Sequence, residues 1–436
     1  MLDIKLLRET PDVVRADLRK RGRDAAVVDQ VLEQDKAWRE GQSRLNDLRA
    51  ERNRSGQAIA AAKKAGQDAK PILERMATLG AEQAGLEKAV PAAEAERDRL
   101  LRSIPNVMHP SVPVGKDDSE NREVRAWGGK PVHKFAAASH VDLLDSLDLA
   151  DLERAARAAG SRFVYLKGDL VLLGRALEFF ALKHLAAKGF TAIEPPYMLR
   201  REALEGAIDL ADFESVIYRV EAGKAAEKGE PAELFLIATS EHPIAALHMG
   251  EILESKTLPL LYAGVSPCFR KEAGAHGKDT KGIFRVHQFS KVEQFVFCAP
   301  ADSWRIHEDL IRNAEELYQA LKIPYRVVDI CTGDLGSIAA KKYDIEAWMP
   351  VQGAYREVVS CSNCTDFQAR RYNTRHRANP GDPTEVVHTL NSTAIAVQRT
   401  LVAILENFQQ ADGSVLVPEV LRPYVGKDRL AAPTTP

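Results

Sequence analysis

A chain of 436 residues with 45% apolar and 28% charged residues has room for two or three domains and the composition of an ordinary soluble globular protein. No run of about 18 apolar residues is present, and Met1-Leu2-Asp3-Ile4-Lys5 lacks the apolar core of a signal peptide, so neither a membrane span nor secretion is expected. Five sparse cysteines (Cys268, Cys298, Cys331, Cys361, Cys364) argue against a disulfide framework and for reduced thiols in the cytoplasm; a net charge of −2 argues against a nucleic-acid surface spread over the whole chain.

The first predicted elements are long helices. Over residues 27–104, Val31, Trp38, Leu45 and Ile59 fall on one seven-residue grid, broken by Arg52. Ile72, Leu79, Leu86, Ala93 and Leu100 fall on a second. A mean period of 3.5 residues draws an apolar seam along each helix. The turn-like Lys64-Ala65-Gly66-Gln67-Asp68-Ala69-Lys70-Pro71 lies between them, so an antiparallel arm about 45–60 Å long is expected at 1.5 Å per residue. Pro91 removes a hydrogen bond inside the second helix and predicts a kink. Residues 1–104 carry 21 Lys/Arg against 18 Asp/Glu, the remainder 39 against 44, and residues 41–75 carry 8 against 4. Such a local basic excess can bind phosphates even on an acidic protein. On composition alone a solvated face is the favoured reading, and a dimerisation coiled coil is the lesser alternative for the seam.

Pro105, Pro110, Pro113, Gly115, Gly128, Gly129 and Pro131 make residues 105–135 a linker or irregular connection between a domain at 1–104 and another at 136–436. In the second domain a helix is predicted over about 169–188, ended by Gly189, followed by a short strand from Thr191 towards Pro195-Pro196. Runs rich in β-formers follow at 233–238, 259–270, 283–297, 325–330 and 354–361, then a helix at about 393–408. The fold class is α+β, a sheet with packed helices.

Neither a P-loop nor a Rossmann fingerprint is present, so side chains must hold any nucleotide phosphates. The segment 267–297 supplies candidates. Arg270 and Glu272 share a face if both lie on one strand, and Arg285, Phe289 and Glu293 are in phase if they lie on the next, with the loop Gly274–Gly282 between. Two guanidinium groups, two carboxylates and an aromatic face on one surface suit a nucleotide; structural ion pairs around a buried Phe would have the same pattern.

Phe269-Arg270-Lys271-Glu272 followed by Arg285-Val286-His287-Gln288-Phe289 resembles motif 2 of the class II aminoacyl-tRNA synthetases. The 169–188 helix with its strand to Pro196 resembles motif 1, and Asn391-Ser392-Thr393-Ala394-Ile395-Ala396-Val397-Gln398-Arg399, at the head of a helix, resembles motif 3. The seryl branch is indicated by Thr239-Ser240-Glu241, Gly160-Ser161-Arg162-Phe163, Ser360-Cys361-Ser362-Asn363-Cys364 and Asp366-Phe367-Gln368-Ala369-Arg370-Arg371. The helical hairpin resembles that family's tRNA-binding arm. The resemblance spans essentially the whole chain and implies a catalytic domain built on an antiparallel sheet flanked by helices.

The roles it implies are these. Arg270 and Arg399 are catalytic. Arg270 holds the α-phosphate, where charge grows as serine's carboxylate attacks. ATP is held by Arg270, Lys271, Glu272, Arg285, Val286, Phe289, Glu357, Val358, Val359, Ser360 and Arg399. Glu272 accepts from the adenine amino group, Arg285 binds the outer phosphates, and Phe289 and Arg399 sandwich the purine. Glu357 and Ser360 ligate Mg²⁺. Serine is held by Thr239, Ser240, Glu241, Arg270, Glu293, Asn391 and Thr393, with Glu293 on the ammonium and Thr393 near the hydroxyl. Alanine is rejected through unpaired polar groups and threonine through lack of room. Arg44, Arg49, Arg52, Arg54, Lys63, Lys64 and Arg75 face tRNA(Ser), and tRNA(Sec) where the host has it. A homodimer is implied. The single C-x-x-C pair, Cys361 and Cys364, lacks the second half of a zinc site, so no structural zinc is expected.

Three rivals fit less well. Ligases that charge a carrier protein lack the long arm. A non-catalytic paralogue is expected to lose motif arginines, whereas Arg270, Arg285 and Arg399 are all present. Threonyl and prolyl relatives carry a C-terminal anticodon-binding domain, for which the roughly 28 residues after the last helix are too few.

Overall fold

A computed structural model describes residues 1–208, 215–221, 233–272 and 281–432. The chain divides into two compact units, residues 1–107 and 108–436. The first is helical throughout: α1 (Ile4–Glu9), α2 (Pro11–Lys20), α3 (Val27–Lys64) and α4 (Lys70–Ser103). The 38 residues of α3 span about 57 Å at 1.5 Å per residue. Gly66, at φ +70°, makes the turn that an L side chain would strain, and Pro71 sits in the first turn of α4, where its missing N–H costs nothing.

The seam is close to the one expected. Val31 and Leu45 from α3 and Leu79 and Leu100 from α4 are buried. Trp38 is half-buried with the Arg97 guanidinium 4.6 Å above its ring. Arg52, which interrupts the grid, donates to Gln83 across the hairpin at 2.6 Å, so the seam accommodates it as a polar rung. Gly41 lets the helices touch: a Cβ there would lie 2.6 Å from Val90 Cγ2. Asp35, fully buried, is held by Arg8 at 2.6 Å and Arg39 at 2.9 Å. Helix α4 continues unbroken through Pro91. Pro91 and Glu87, whose carbonyl loses its partner to the ring, are both exposed, so water can serve that carbonyl.

In the second unit the largest sheet among the described residues has eight strands. In chain order they are β1 (Arg122–Trp127), β2 (Thr191–Ile193), β3 (Leu260–Phe269), β4 (Gln288–Cys298), β5 (Tyr325–Asp329), β6 (Lys341–Met349), β7 (Ala354–Asn363) and β8 (His388–Ala396), and across the sheet they run β1-β5-β6-β7-β8-β4-β3-β2. Every neighbouring pair is antiparallel except β2 with β3. The principal helices are α5 (Gly168–Ala187), α6 (Arg201–Ala207), α7 (Glu241–Ala245), α8 (Ser303–Ala320), α9 (Phe367–Tyr372) and α10 (Val397–Phe408).

Strand periodicity divides the sheet's two faces. Val292, Val296 and Cys298 of β4 enter the large core shared with α5, α8 and α10, whereas Phe295 and Phe297 enter a second core with α6, α7 and α9. Phe289, Lys291 and Glu293 have the same parity as Phe295, and a cavity opens at that end of the face.

Four local expectations are corrected. Arg122–Trp127, inside the expected linker, is an edge strand paired with β5. Residues 391–396 are strand, not the head of a helix; they run along β4, Asn391 and Ser392 pair with β7 as well, and helix begins at Val397. Arg285 precedes β4 instead of lying on it, and Arg270 and Glu272 lie beyond the end of β3, Glu272 at φ +48°. The even spacing of these residues is therefore not what brings them together. Residues 273–280, most of the loop between them, lie outside the described residues.

Candidate active site

The cavity, about 360 Å³, is lined from β4, β7 and β8, from the segments flanking the loop after β3, and from the start of α7. Of the residues expected to bind ATP or serine it gathers Thr239, Glu241, Arg270, Glu272, Arg285, Val286, Phe289, Glu293, Glu357, Val358, Ser360, Asn391, Thr393 and Arg399. Lys271, Ser240 and Val359 do not line it. Lys271 is exposed, its Nζ 5.9 Å from the Tyr218 ring. Ser240 is fully buried, its hydroxyl 3.4 Å from the Gly264 carbonyl. Val359 faces the helical core, because Ser360 and Ser362 take the opposite parity. The same alternation separates the two thiols: Cys361 lies in the core and Cys364 on the cavity wall.

One end of the cavity is built of arginines and rings. The Arg270 guanidinium lies 5.2 Å from the Phe289 ring centre, and its Nε donates to the Ala238 carbonyl at 3.3 Å. Arg285 pairs with Glu272 at 3.1 Å. Arg399 reaches the Glu357 carbonyl oxygen at 3.0 Å and its carboxylate at 3.3 Å, and stacks 5.1 Å from Phe284. Sequence reasoning missed Phe284; its place two residues after Gly282, before a strand, carries no chemical signature. The strand end is braced behind. Arg162 donates to the Glu272 carbonyl at 2.9 Å, and the His287 ring bonds the Arg270 carbonyl at 2.8 Å, which gives Gly160-Ser161-Arg162-Phe163 and His287 a structural task.

Enclosure alone would raise the pKa of Glu357, but Arg399, Lys342 and Arg270 outweigh it and lower the value. Asp344, opposite Ser360 across β6 and β7, is pushed up to about 7, by burial first and by Glu357 as well, against the pull of Lys342. Its Oδ1 is buried without a hydrogen-bond partner. An ionised carboxylate and a serine hydroxyl on one cavity wall, backed by a second carboxylate, are a donor set of hard oxygens that fits a divalent cation such as Mg²⁺.

The other end is small and polar. Glu293 pairs with Lys291, both buried, and Thr393 donates to Glu293 at 3.4 Å. Glu241 accepts from the Gln368 amide at 2.9 Å. Burial raises the pKa of Glu293, and enclosure together with the Glu293 charge pushes Glu241 up to about 7. Asn391 donates to the Cys364 sulfur at 3.6 Å. His242, not foreseen, lies on the wall with its pKa lowered to about 3 by burial and by Arg270 and Lys291, so it is neutral.

Comparison with known proteins fits both halves of this architecture. Residues 1–108 match the seryl-tRNA synthetase N-terminal domain, and residues 218–408 match the class II tRNA synthetase core domain (G, H, P, S and T). A serine–tRNA ligase of Thermococcus onnurineus is 53% identical over 98% of this chain and 96% of its own. The chain belongs to the seryl-tRNA synthetase family. Among solved structures, seryl-tRNA synthetase from Pyrococcus horikoshii complexed with ATP superposes with a TM-score of 0.93 at 50% identity, covering 100% of both chains. Cytoplasmic serine–tRNA ligase from Naegleria fowleri in complex with AMP gives 0.88 at 36% identity, covering 100% of this chain and 99% of its own.

The arm residues named for tRNA separate into two groups in this synthetase. Arg44 pairs with Glu82 at 2.7 Å, Arg49 with Glu87 at 3.7 Å and Arg75 with Glu51 at 2.9 Å, and Arg52 bonds Gln83; all four bridge the hairpin. Arg54, Lys63 and Lys64 are exposed and make no ion pair among the described residues.

Proposed function

We propose that this chain is a serine–tRNA ligase that forms seryl-adenylate and pyrophosphate from serine and ATP in the 360 Å³ cavity, then passes serine to the 3′ end of tRNA(Ser), and of tRNA(Sec) where the host has it. The observation that carries the reading is the meeting of Arg270, Glu293, Glu357 and Arg399, from four separate segments, in one cavity of a chain half identical to serine–tRNA ligases over 98% of its length.

The polarity of the cavity sets the direction of binding. Phosphates lie at the arginine end. Arg270, fixed by Phe289 and the Ala238 carbonyl, meets the charge that develops on the α-phosphate, and a guanidinium already in place stabilises the transition state without reorganising. The purine enters between Phe289 and Arg399, displacing the contacts that Arg399 makes with Phe284 and Glu357. Glu272 accepts from the exocyclic amine while Arg285 turns to the outer phosphates. Glu357 and Ser360 would hold Mg²⁺, which would offset phosphate charge when bound. Serine's ammonium lies between Glu241 and Glu293, and Thr393 and Asn391 flank its hydroxyl. No protein nucleophile is required, because serine's own carboxylate attacks and the tRNA ribose accepts.

Two copies of the chain pair through α5, whose Val171, Leu172 and Phe179 are 38%, 49% and 53% exposed, an apolar strip on a helix whose Leu170, Leu173, Leu177 and Leu185 are sunk in the core. The arm binds the tRNA body through its basic residues, and the setting is cytoplasmic. Among the described residues no helix is long and apolar enough to cross a membrane. The deciding experiment is pyrophosphate exchange with each of the twenty amino acids, followed by charging of tRNA. Exchange with serine alone is expected; exchange led by another amino acid would overturn the reading.

A further inference from the structure

The segment Asp366-Phe367-Gln368-Ala369-Arg370-Arg371 helps place the chain in its family, yet none of its residues has a part in the chemistry above. It forms most of α9, against the amino-acid end of the cavity. Gln368 is fully buried. Its amide nitrogen donates to Glu241 Oε1 at 2.9 Å and to the Ala207 carbonyl at 3.3 Å, and its Oε1 accepts from the Thr389 hydroxyl at 2.7 Å. The Ala207 carbonyl can only accept, so the NH₂ side is the one turned to it and to the carboxylate. Next to it, Arg371 donates to the carbonyls of Glu205 and Ile208 at 3.1 and 2.7 Å, and the Tyr372 hydroxyl to that of Ala203 at 2.5 Å. These bonds tie α9 to the end of α6, where Ala207 and Ile208 line the cavity.

We infer that Gln368 is a positioning residue of the amino-acid pocket: its amide holds the Glu241 carboxylate as an acceptor on the cavity wall, so that Glu241 and Glu293 together receive the substrate's ammonium group. This role for Gln368 rests on the reading of the cavity as a serine-activating site.

Two carboxylates in one enclosed site oppose each other's ionisation, and an N–H donor to one of them favours its charged form. The groups that act on Glu241 are Glu293 and Lys291 from β4, Arg270 beyond β3, Cys364 after β7, and Gln368 and Tyr372 from α9. Glu293 opposes its ionisation, and Lys291, Arg270 and the Gln368 amide favour it. Among the described residues, Gln368 is the side chain that bonds the Glu241 carboxylate directly. An isosteric carboxylate at position 368 would reverse that bond. Ionised, it repels Glu241; protonated, it donates as the amide does.

The test is serine-dependent pyrophosphate exchange against pH for Gln368→Met, Gln368→Glu and Glu241→Gln, with melting temperatures for each. Losing a hydrogen bond to a charged group predicts a KM for serine raised roughly 10- to 100-fold in Gln368→Met, with the KM for ATP within about twofold and the acid limb of kcat/KM for serine moved to higher pH. In Gln368→Glu the KM for serine is expected to climb with pH and to recover towards the acid side. A role confined to packing would leave this pH dependence where the parent has it, so a folded Gln368→Glu with the parent's serine KM and pH profile overturns the inference. Should Gln368→Met fail to fold, the isosteric variant decides alone. If Glu241→Gln weakens serine while the folded Gln368 variants do not, the inference falls and the pocket stands. If Glu241→Gln leaves serine unaffected, the reading of the pocket falls and takes the inference with it.

Discussion

The Arg270 guanidinium lies 5.2 Å from the centre of the Phe289 ring while its Nε donates to the Ala238 carbonyl at 3.3 Å. The charge is thus held from two sides before a substrate enters. Both partners come from β-structure or its margins, Phe289 from β4 and Ala238 just after the strand Glu233–Leu236. Arg399 also has a ring, Phe284 at 5.1 Å, and a backbone carbonyl, that of Glu357 at 3.0 Å, but it pairs in addition with the Glu357 carboxylate, itself a proposed ligand of the cation.

Arg270→Ala is therefore expected to lower serine-dependent pyrophosphate exchange by about 10²–10³ without loss of fold, the usual cost of one preorganised contact to developing charge. Arg270→Lys keeps the charge but not the planar stack, and is expected to recover only part of the rate. Exchange near the parent's rate in Arg270→Ala, with an unchanged circular dichroism spectrum, removes this residue from the mechanism.

The arm is legible in the sequence because its seam repeats, and the repeat survives a polar insertion such as Arg52. In the catalytic unit the chemistry-bearing residue types are visible while the local geometry is not. Strand β6 is hidden, because Lys341, Lys342, Asp344 and Glu346 mask the pattern of Tyr343, Ile345 and Ala347. Lys341 and Asp344 are buried and Lys342 and Glu346 half-buried, and pairing of Lys341 with Asp329 and of Glu346 with Arg326 offsets part of the cost. Residues 391–396 read as the head of a helix because small residues such as Ser392 and Ala394 carry no strong β-preference; pairing with β4 along the run, and with β7 at Asn391 and Ser392, decides the matter. The role of Gln368 leaves no local trace, since its partners Glu241 and Thr389 lie 127 and 21 residues away.

The pH dependence of serine use follows from Glu241. Its pKa of about 7 is above the ordinary carboxylate range, through enclosure first and then the Glu293 charge. The form that receives an ammonium is the ionised one, so kcat/KM for serine is expected to rise as pH increases towards 7 and to level off above it. Stability runs the other way. A carboxyl that holds its proton more tightly folded than unfolded favours the folded state below the ordinary carboxylate range, and that advantage is lost as pH rises to about 7. Exchange and melting curves from pH 5.5 to 8.5 check both signs; a serine profile flat through pH 6 to 7 would refute the assignment.

Dimerisation is expected to depend on the exposed strip of α5. Leu172→Asp, at a position 49% exposed, puts a charge into that strip without entering the monomer's core. Light scattering of the parent should give twice 48.1 kDa, about 96 kDa, and the variant should approach the single-chain mass at micromolar concentration. A parent that is fully active at the single-chain mass refutes the dimer, and a variant that remains dimeric shows that another face carries it.

The arm's two kinds of cation can be separated by experiment. Arg44, Arg49 and Arg75 are paired with carboxylates on the opposite helix, so replacing them loosens the hairpin as well as removing charge. Arg54, Lys63 and Lys64 are exposed and free of ion pairs among the described residues, and Lys63 and Lys64 close the last turn of α3. These three are the ones proposed to meet tRNA phosphates. The combined change Arg54→Ala, Lys63→Ala and Lys64→Ala is expected to leave serine-dependent exchange and the melting temperature near the parent's. It should lower kcat/KM for tRNA charging by about 10-fold or more and flatten its salt dependence by roughly one unit of log–log slope for each phosphate no longer neutralised. If the basic excess is only a solvated face, charging and its salt slope will not change. If the hairpin acts instead as a dimerisation element, the chain's mass will change while the salt slope does not. Measuring exchange, charging at several salt concentrations and mass on one preparation tells these outcomes apart, and an unchanged salt slope sinks the assignment of these three residues to RNA.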